Sequence, residues 1–151
     1  MSHKWDLRFL ELARHIAQWS KDPSTKCGAV IVDSDRRIIS LGYNGLPQGV
    51  TDLERRLDDR ELKYQLIVHA ERNAILFAQR SLTNCTLYTW PFMCCSVCAA
   101  MVIQTGITRH VAPVYEGERW TKSFQLTQEI MAEAHVELET LEWTEIPPEG
   151  R

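Results

Sequence analysis

The chain has 151 residues, a formal net charge of −3, and apolar and charged fractions of 44% and 25%. That length fits one domain with room for a hydrophobic core, and that composition belongs to an ordinary globular protein rather than a disordered or fibrous one. The acidic balance argues against a broad nucleic-acid surface, and no apolar run approaches the roughly eighteen residues of a membrane span.

Met1 to Asp6 lacks the apolar stretch of a secretory signal. Five cysteines, with Cys94 and Cys95 adjacent, are an odd number that fits a reduced compartment better than a disulfide framework, so a cytoplasmic location is expected. Asp6 is expected to cap a helix whose apolar residues Phe9, Leu12, Ala13, Ile16 and Trp19 recur at helical spacing, ended by Lys21, Asp22 and Pro23. Residues 27–32 and 38–41 read as two antiparallel strands around the polar turn 33–37. The stretch 42–49, rich in Gly, Asn and Pro, reads as a loop leaving the second strand. Residues 52–63 are strongly charged and expected to be solvated.

From near His69 a helix is expected, carried by Ala70, Ala74, Ile75, Phe77 and Ala78. Residues 85–89 read as a strand, 95–104 as a helix closed by Gly106, and 108–114 as another strand. A last helix over 123–134 precedes a strand over 136–141. A hairpin followed by alternating helices and strands implies an α/β fold, a three-layer α/β/α sandwich around one mixed sheet of about five strands. The domain is expected over 1–143, with 144–151, including Pro147 and Pro148, as a frayed C-terminal tail. Neither an internal repeat nor a low-complexity segment interrupts the chain.

The most informative pattern is His69-Ala70-Glu71 with Cys95 and Cys98 downstream. One imidazole and two thiolates make the three protein ligands of a catalytic zinc whose fourth position stays open for water. Glu71, two residues from the ligand, supplies a general base. In the middle of a regular helix, residues i and i+2 point apart, so His69 is expected at a helix start. Cys95 and Cys98 share a face if a second helix begins near Cys95. Two helix N-termini then converge on the metal, where their partial positive charge favours thiolate and hydroxide.

A cysteine pair at this spacing alone also fits a redox pair or half of a structural zinc site. The redox reading leaves His69 and Glu71 without a role, and a structural site needs a fourth ligand from Cys94, Cys27 or His110. The combined histidine, glutamate and cysteine pattern matches the zinc-deaminase signature apart from its proline. Cys27, Cys85 and Cys94 are expected as buried, apolar-like residues, and His110 as a packed strand histidine.

Other positions carry weaker signals. Lys21, Ser24 and Thr25 offer cationic and hydroxyl donors for a phosphate, and look the same in sequence as solvated helix-end residues. Asn44 offers a donor and an acceptor suited to a sugar hydroxyl, or forms a turn beside Gly45. Tyr115, Arg119 and Trp120 either close over a ligand or form an exposed loop with one buried aromatic. Arg80 ends the helix containing Glu71, where a cation is favourable for structural reasons alone.

The chain resembles the cytidine-deaminase superfamily, and within it the deoxycytidylate (dCMP) deaminases. The likeness is carried by residues 20–25, 28–32, 42–47, Lys63-Tyr64, 69–75, Cys98-Ala99 and 103–107. One departure stands out: the family normally has proline directly before the first zinc cysteine, where this chain has Cys94. The resemblance implies one Zn²⁺ per chain and hydrolysis of dCMP to dUMP and ammonia, supplying dUMP for thymidylate synthesis. It also implies a homo-oligomer, often a hexamer, and places Asn44 near the sugar. Arg80, with Gly45 in the Gly-rich loop, resembles a site coupled to activation by dCTP and inhibition by dTTP. The other readings are a deaminase of another free or base-modified pyrimidine nucleotide, a tRNA adenosine deaminase, and a non-catalytic, zinc-stabilised nucleotide-binding module.

Overall fold

Strands β1 (Gly28–Val32) and β2 (Ile38–Tyr43) form the expected antiparallel hairpin, with Gly28 opposite Tyr43 and Val30 opposite Leu41. The computed structural model describes residues 2–148, and in it β1 also pairs antiparallel with β3 (Thr86–Trp90). Beyond β3 the sheet turns parallel through β4 (Arg109–Pro113) and β5 (Glu137–Leu141), giving the order β2-β1-β3-β4-β5. Every position of β1 is buried, as its unbroken apolar run requires when both faces are covered.

The two faces sort by strand alternation. Val30, Val32, Tyr88 and Val111 pack under α1 (His3–Ala17) with Phe9, Leu10 and Ala13. Ala29, Ile31 and Leu87 point the other way, against α4 (Ala70–Ala78) and α5 (Ser96–Gln104), where Ala74, Ala99 and Val102 meet them. Helix α6 (Thr121–Glu133) joins that second layer through Met131. The three-layer α/β/α sandwich around a mixed five-stranded sheet is therefore as the sequence predicts.

Two glycines set the helix heights. A Cβ at Gly28 would lie 2.0 Å from the Ala13 carbonyl oxygen, and one at Gly42 would lie 2.3 Å from that of Ala70. Gly42 thus lets the first turn of α4 rest directly on β2, which fixes where His69 stands. Gly106, with φ of +84°, closes α5 as expected.

Three expectations are corrected. Asp6 is not the cap of α1: the helix starts at His3, and Asp6 is buried within its first turn. There it takes a bidentate pair from Arg109 at 2.6 and 2.8 Å and a hydrogen bond from the Tyr88 hydroxyl at 2.6 Å, because a buried carboxylate needs such partners. The charged stretch forms two short helices, α2 (Glu54–Asp58) and α3 (Arg60–Leu66), and Lys63 points inward at 4% exposure. The tail does not fray at once after Trp143. That indole donates to the Val114 carbonyl at 2.8 Å, and Ile146 is buried in the α1 layer; residues 149–151 of the expected tail lie outside the described residues.

Candidate metal centre and cleft

His69 is the N-cap of α4 and Cys95 the N-cap of α5, so both helices begin at the centre, as the spacing predicts. Extended backbone at each cap turns the side chain toward the space between the two helix starts. Glu71 and Cys98 follow within the first turns. Ligand atoms of His69, Glu71, Cys95 and Cys98 lie within 4.8 Å of one another, and they form the one such histidine, cysteine and acid group among the described residues. His69 Nδ1 is 3.2 Å from Cys98 Sγ and 3.8 Å from Cys95 Sγ. Those separations bracket the ~3.5 Å edge of a tetrahedron with arms of about 2.0–2.3 Å, the dimensions of zinc bound to imidazole and thiolate. Glu71 Oε1 stands 3.8 Å from the same Nδ1, with the carboxylate buried.

The electrostatics of the centre call for a cation. The two thiols share one proton: the hydrogen bond from Cys98 lowers the Cys95 pKa to about 4, while the same contact raises that of Cys98. Contacts with Cys95 and then Glu71 raise the His69 pKa to about 9. For Glu71, burial acts to raise the pKa, but hydrogen bonding and charge from His69 outweigh it and the net shift is downward. Arg72 Nε donates to Cys98 Sγ at 3.2 Å, an outer contact that favours thiolate and that sequence reasoning missed. Cys94 is buried in the core outside the group, and burial keeps its thiol protonated. Cys85 and His110 are likewise buried away from the group, while Cys27 lines the adjoining cleft with its pKa raised by burial.

A cleft open to solvent adjoins the centre. His69, Glu71 and Cys95 form part of its wall. Apolar lining comes from Ile67, Trp90, Phe92, Met93, Trp120 and Phe124. Of the expected contact residues, Ser24, Thr25 and Asn44 reach it. Asn44 is already engaged: Oδ1 accepts from the Cys27 N–H at 2.8 Å, and Nδ2 donates to the Thr25 carbonyl at 2.9 Å. Its amide braces the segment 22–27, and a second lone pair on Oδ1 is its remaining capacity.

Lys21 and Tyr115 do not line the cleft. Lys21 is exposed and pairs with Asp52 at 2.5 Å, since the chain turns outward there before Asp22 turns in. The cation carried into the wall is Lys63, whose Nζ donates to Asp22 Oδ1 at 3.1 Å and Ser24 Oγ at 3.2 Å. Its signal in the sequence was i, i+4 spacing with Ile67, an apolar-stripe position inside a charged run. Tyr115 sits behind the wall, packed edge-on against Phe124, and its hydroxyl accepts from the Trp120 N–H at 3.1 Å. It props the loop that places Arg119 and Trp120 at the cleft. The Arg119 guanidinium lies 4.7 Å from the Trp120 ring centroid and donates to the Tyr64 hydroxyl. Arg80 is exposed beyond the C-terminus of α4, outside the cleft. Gly45 is also outside it, but its backbone bridges Val68, the residue before His69, with bonds of 3.1 and 2.8 Å.

A three-layer α/β/α sandwich with a histidine, a glutamate and two cysteines at paired helix starts defines a zinc-site protein of the nucleobase-deaminase type. The chain belongs to the cytidine and deoxycytidylate deaminase family: the model describing that family's zinc-binding region matches residues 3–113. The cluster is suited to holding the single zinc ion for which that region is named. A protein of Aliivibrio fischeri named "Uncharacterized deaminase in luxG 3'region" is 44% identical over 141 residues, covering 91% of this chain and 94% of its own. The human deoxycytidylate deaminase is 38% identical over 113 residues, covering 69% of this chain and 61% of its own length. Against a crystal structure of a dCMP deaminase from cyanophage S-TIM5 in complex with dCMP and dUMP, the TM-score is 0.74 at 23% identity, with 93% and 99% of the two chains covered. At that identity the likeness concerns the fold.

Proposed function

We propose that this chain is a zinc-dependent dCMP deaminase, converting dCMP and water to dUMP and ammonia. The observation that carries the reading is the buried Glu71 carboxylate beside His69, Cys95 and Cys98, at the wall of a cleft that also presents cations. A structural zinc site has no need of that carboxylate.

His69, Cys95 and Cys98 are assigned as zinc ligands, and zinc bound there supplies a water activated for attack near neutral pH. Glu71, buried in the wall of the cleft, takes a proton from the attacking water, passes it to ring N3, and helps protonate the amino group leaving C4. The aromatic lining shields the base from bulk water and offers flat surfaces to the ring. For the substrate's phosphate the cleft offers Ser24, Thr25, Lys63 and Arg119. Asp22 offsets the charge of Lys63, whereas no carboxylate pairs with Arg119 among the described residues. Arg119 is therefore the principal phosphate contact in this reading, in place of Lys21.

Turnover of dCMP, CMP, dCTP and deoxycytidine, compared side by side, tests the reading: dCMP should lead. Preference for a nucleotide substituted on the ring would move the assignment to a base-modified substrate, and zinc retention without turnover to a binding module. The tRNA reading calls for a basic face, and the net charge of −3 speaks against it.

The same reading includes a cytoplasmic homo-oligomer, a hexamer by resemblance, and control by dCTP and dTTP. Exposed Leu76 and Phe77 on α4, with Val97 and Met101 on α5, support association, which light scattering checks. The Gly45–Val68 bridge supports effector control, because a shift of the Gly-rich loop is carried to the residue preceding His69. Flat rates with both effectors at subsaturating dCMP would remove that part.

A further inference from the structure

Cys94 contributes to the centre through its backbone. Its thiol lies outside the ligand group, and the residue is 2% exposed. In the zinc-deaminase signature the residue before the first zinc cysteine is proline, which carries no N–H. This chain has an N–H at that position, buried and directly before Cys95, so it needs an acceptor. His110 provides one: the Cys94 N–H donates to His110 Nε2 at 3.1 Å. His110, on β4, is fully buried, and its Nδ1 donates to the Leu87 carbonyl at 3.1 Å on the neighbouring strand. The two contacts together fix one neutral tautomer, with the hydrogen on Nδ1 and the lone pair on Nε2. From the other side, the Thr127 hydroxyl on α6 donates to the Cys94 carbonyl at 2.9 Å. Both backbone polar groups of Cys94, the residue leading into Cys95, are thus held by side chains from other elements.

We infer that His110 is a positioning residue for the metal ligands, accepting the Cys94 N–H and so holding the turn that proline stiffens in the usual signature. A histidine serving only to fill the core has no need of an acceptor nitrogen aimed at that N–H. Positions 94 and 110 are then interdependent. Valine at 110 leaves the Cys94 N–H unpaired in the interior, proline at 94 leaves His110 Nε2 unpaired, and both changes together leave neither; the contact to the Leu87 carbonyl is lost with valine in either background and so does not enter the coupling. The inference rests on the assignment of His69, Cys95 and Cys98 as zinc ligands, which the zinc content of the unaltered protein tests separately; it does not depend on which nucleotide is the substrate.

The experiment is a double-mutant cycle read by zinc affinity, with a chromogenic chelator as competitor, and by thermal melting of the metal-free proteins. His110→Val and Cys94→Pro should each weaken zinc binding by roughly tenfold to a hundredfold, the usual cost of losing a residue that orients metal ligands. The Cys94→Pro/His110→Val double variant should return to within about threefold of the unaltered protein. Cys94→Ala, which keeps the N–H, should bind zinc as the unaltered protein does. Unchanged affinity and melting in His110→Val would overturn the inference, as would a double variant no better than the weaker single one. If His110→Val does not fold, the double variant decides: folded and zinc-binding supports the inference, unfolded defeats it.

Discussion

The metal centre and the outer rim of the cleft are built in opposite ways. At the centre, each helix start presents two of the four groups at short sequence separation, His69 with Glu71 and Cys95 with Cys98, and tertiary packing only brings the starts together. The rim takes Asp22 and Ser24 from the loop before β1, Lys63 from α3 and Arg119 from the loop before α6, three segments far apart in the chain. A local motif survives as a spacing in sequence, whereas a rim assembled across the fold leaves no spacing to find. The difference predicts where substitution is severe: replacing a group at the centre should abolish chemistry, and replacing one at the rim should change which substrate is preferred.

The largest effect is expected from Glu71→Gln. It should retain fold and zinc while losing on the order of 10²–10⁴ of turnover or more, the contribution of a general acid–base group. Near-normal kcat in steady-state assays would remove Glu71 from the reaction.

Metal content sharpens the local half of the comparison. Cys95→Ser should lose zinc and Cys94→Ser keep it, because Cys98 lies one helical turn from Cys95 while Cys94 has Val97 at that spacing. The reverse outcome in elemental analysis would transfer the ligand role to Cys94. Proton release gives a second reading of the same centre. With its pKa raised to about 9, His69 is protonated at pH 7.5 in the metal-free protein, and Cys98 is also protonated because its pKa is raised, whereas Cys95 is already thiolate. Zinc takes neutral imidazole and thiolates, so binding should release about two protons, falling toward one as pH rises through about 9. Calorimetry in buffers of different ionisation enthalpy counts them; a release of none at pH 7.5 would contradict the ligand set.

At the rim, Arg119→Gln should lower kcat/KM for dCMP by roughly tenfold to a hundredfold, the loss of one charge-assisted contact, and leave the slow reaction of deoxycytidine nearly unchanged. Equal losses on both substrates would make Arg119 a structural residue of the loop. Lys21→Ala should have the smallest effect, since its exposed pair with Asp52 is screened by solvent. A selective loss of dCMP turnover in that variant would return the phosphate site to the first loop.

Legible in the chain before folding is whatever a few consecutive residues impose on the backbone and on one another. The unbroken apolar run of β1, the polar turn between β1 and β2, the helix ended by Gly106, and the pairs His69 with Glu71 and Cys95 with Cys98 at two helix starts are all of this kind. Asp6, Lys63, Arg72 and Arg119 belong to the tertiary structure. Each is a polar side chain whose partner comes from a remote segment: Arg109 for Asp6, Asp22 for Lys63, Cys98 for Arg72 and Tyr64 for Arg119. Burial and charge compensation depend on partners that only the folded chain supplies. Thus a lysine in a charged run became part of the cleft wall, while the lysine that looked better placed for phosphate pairs with a surface aspartate.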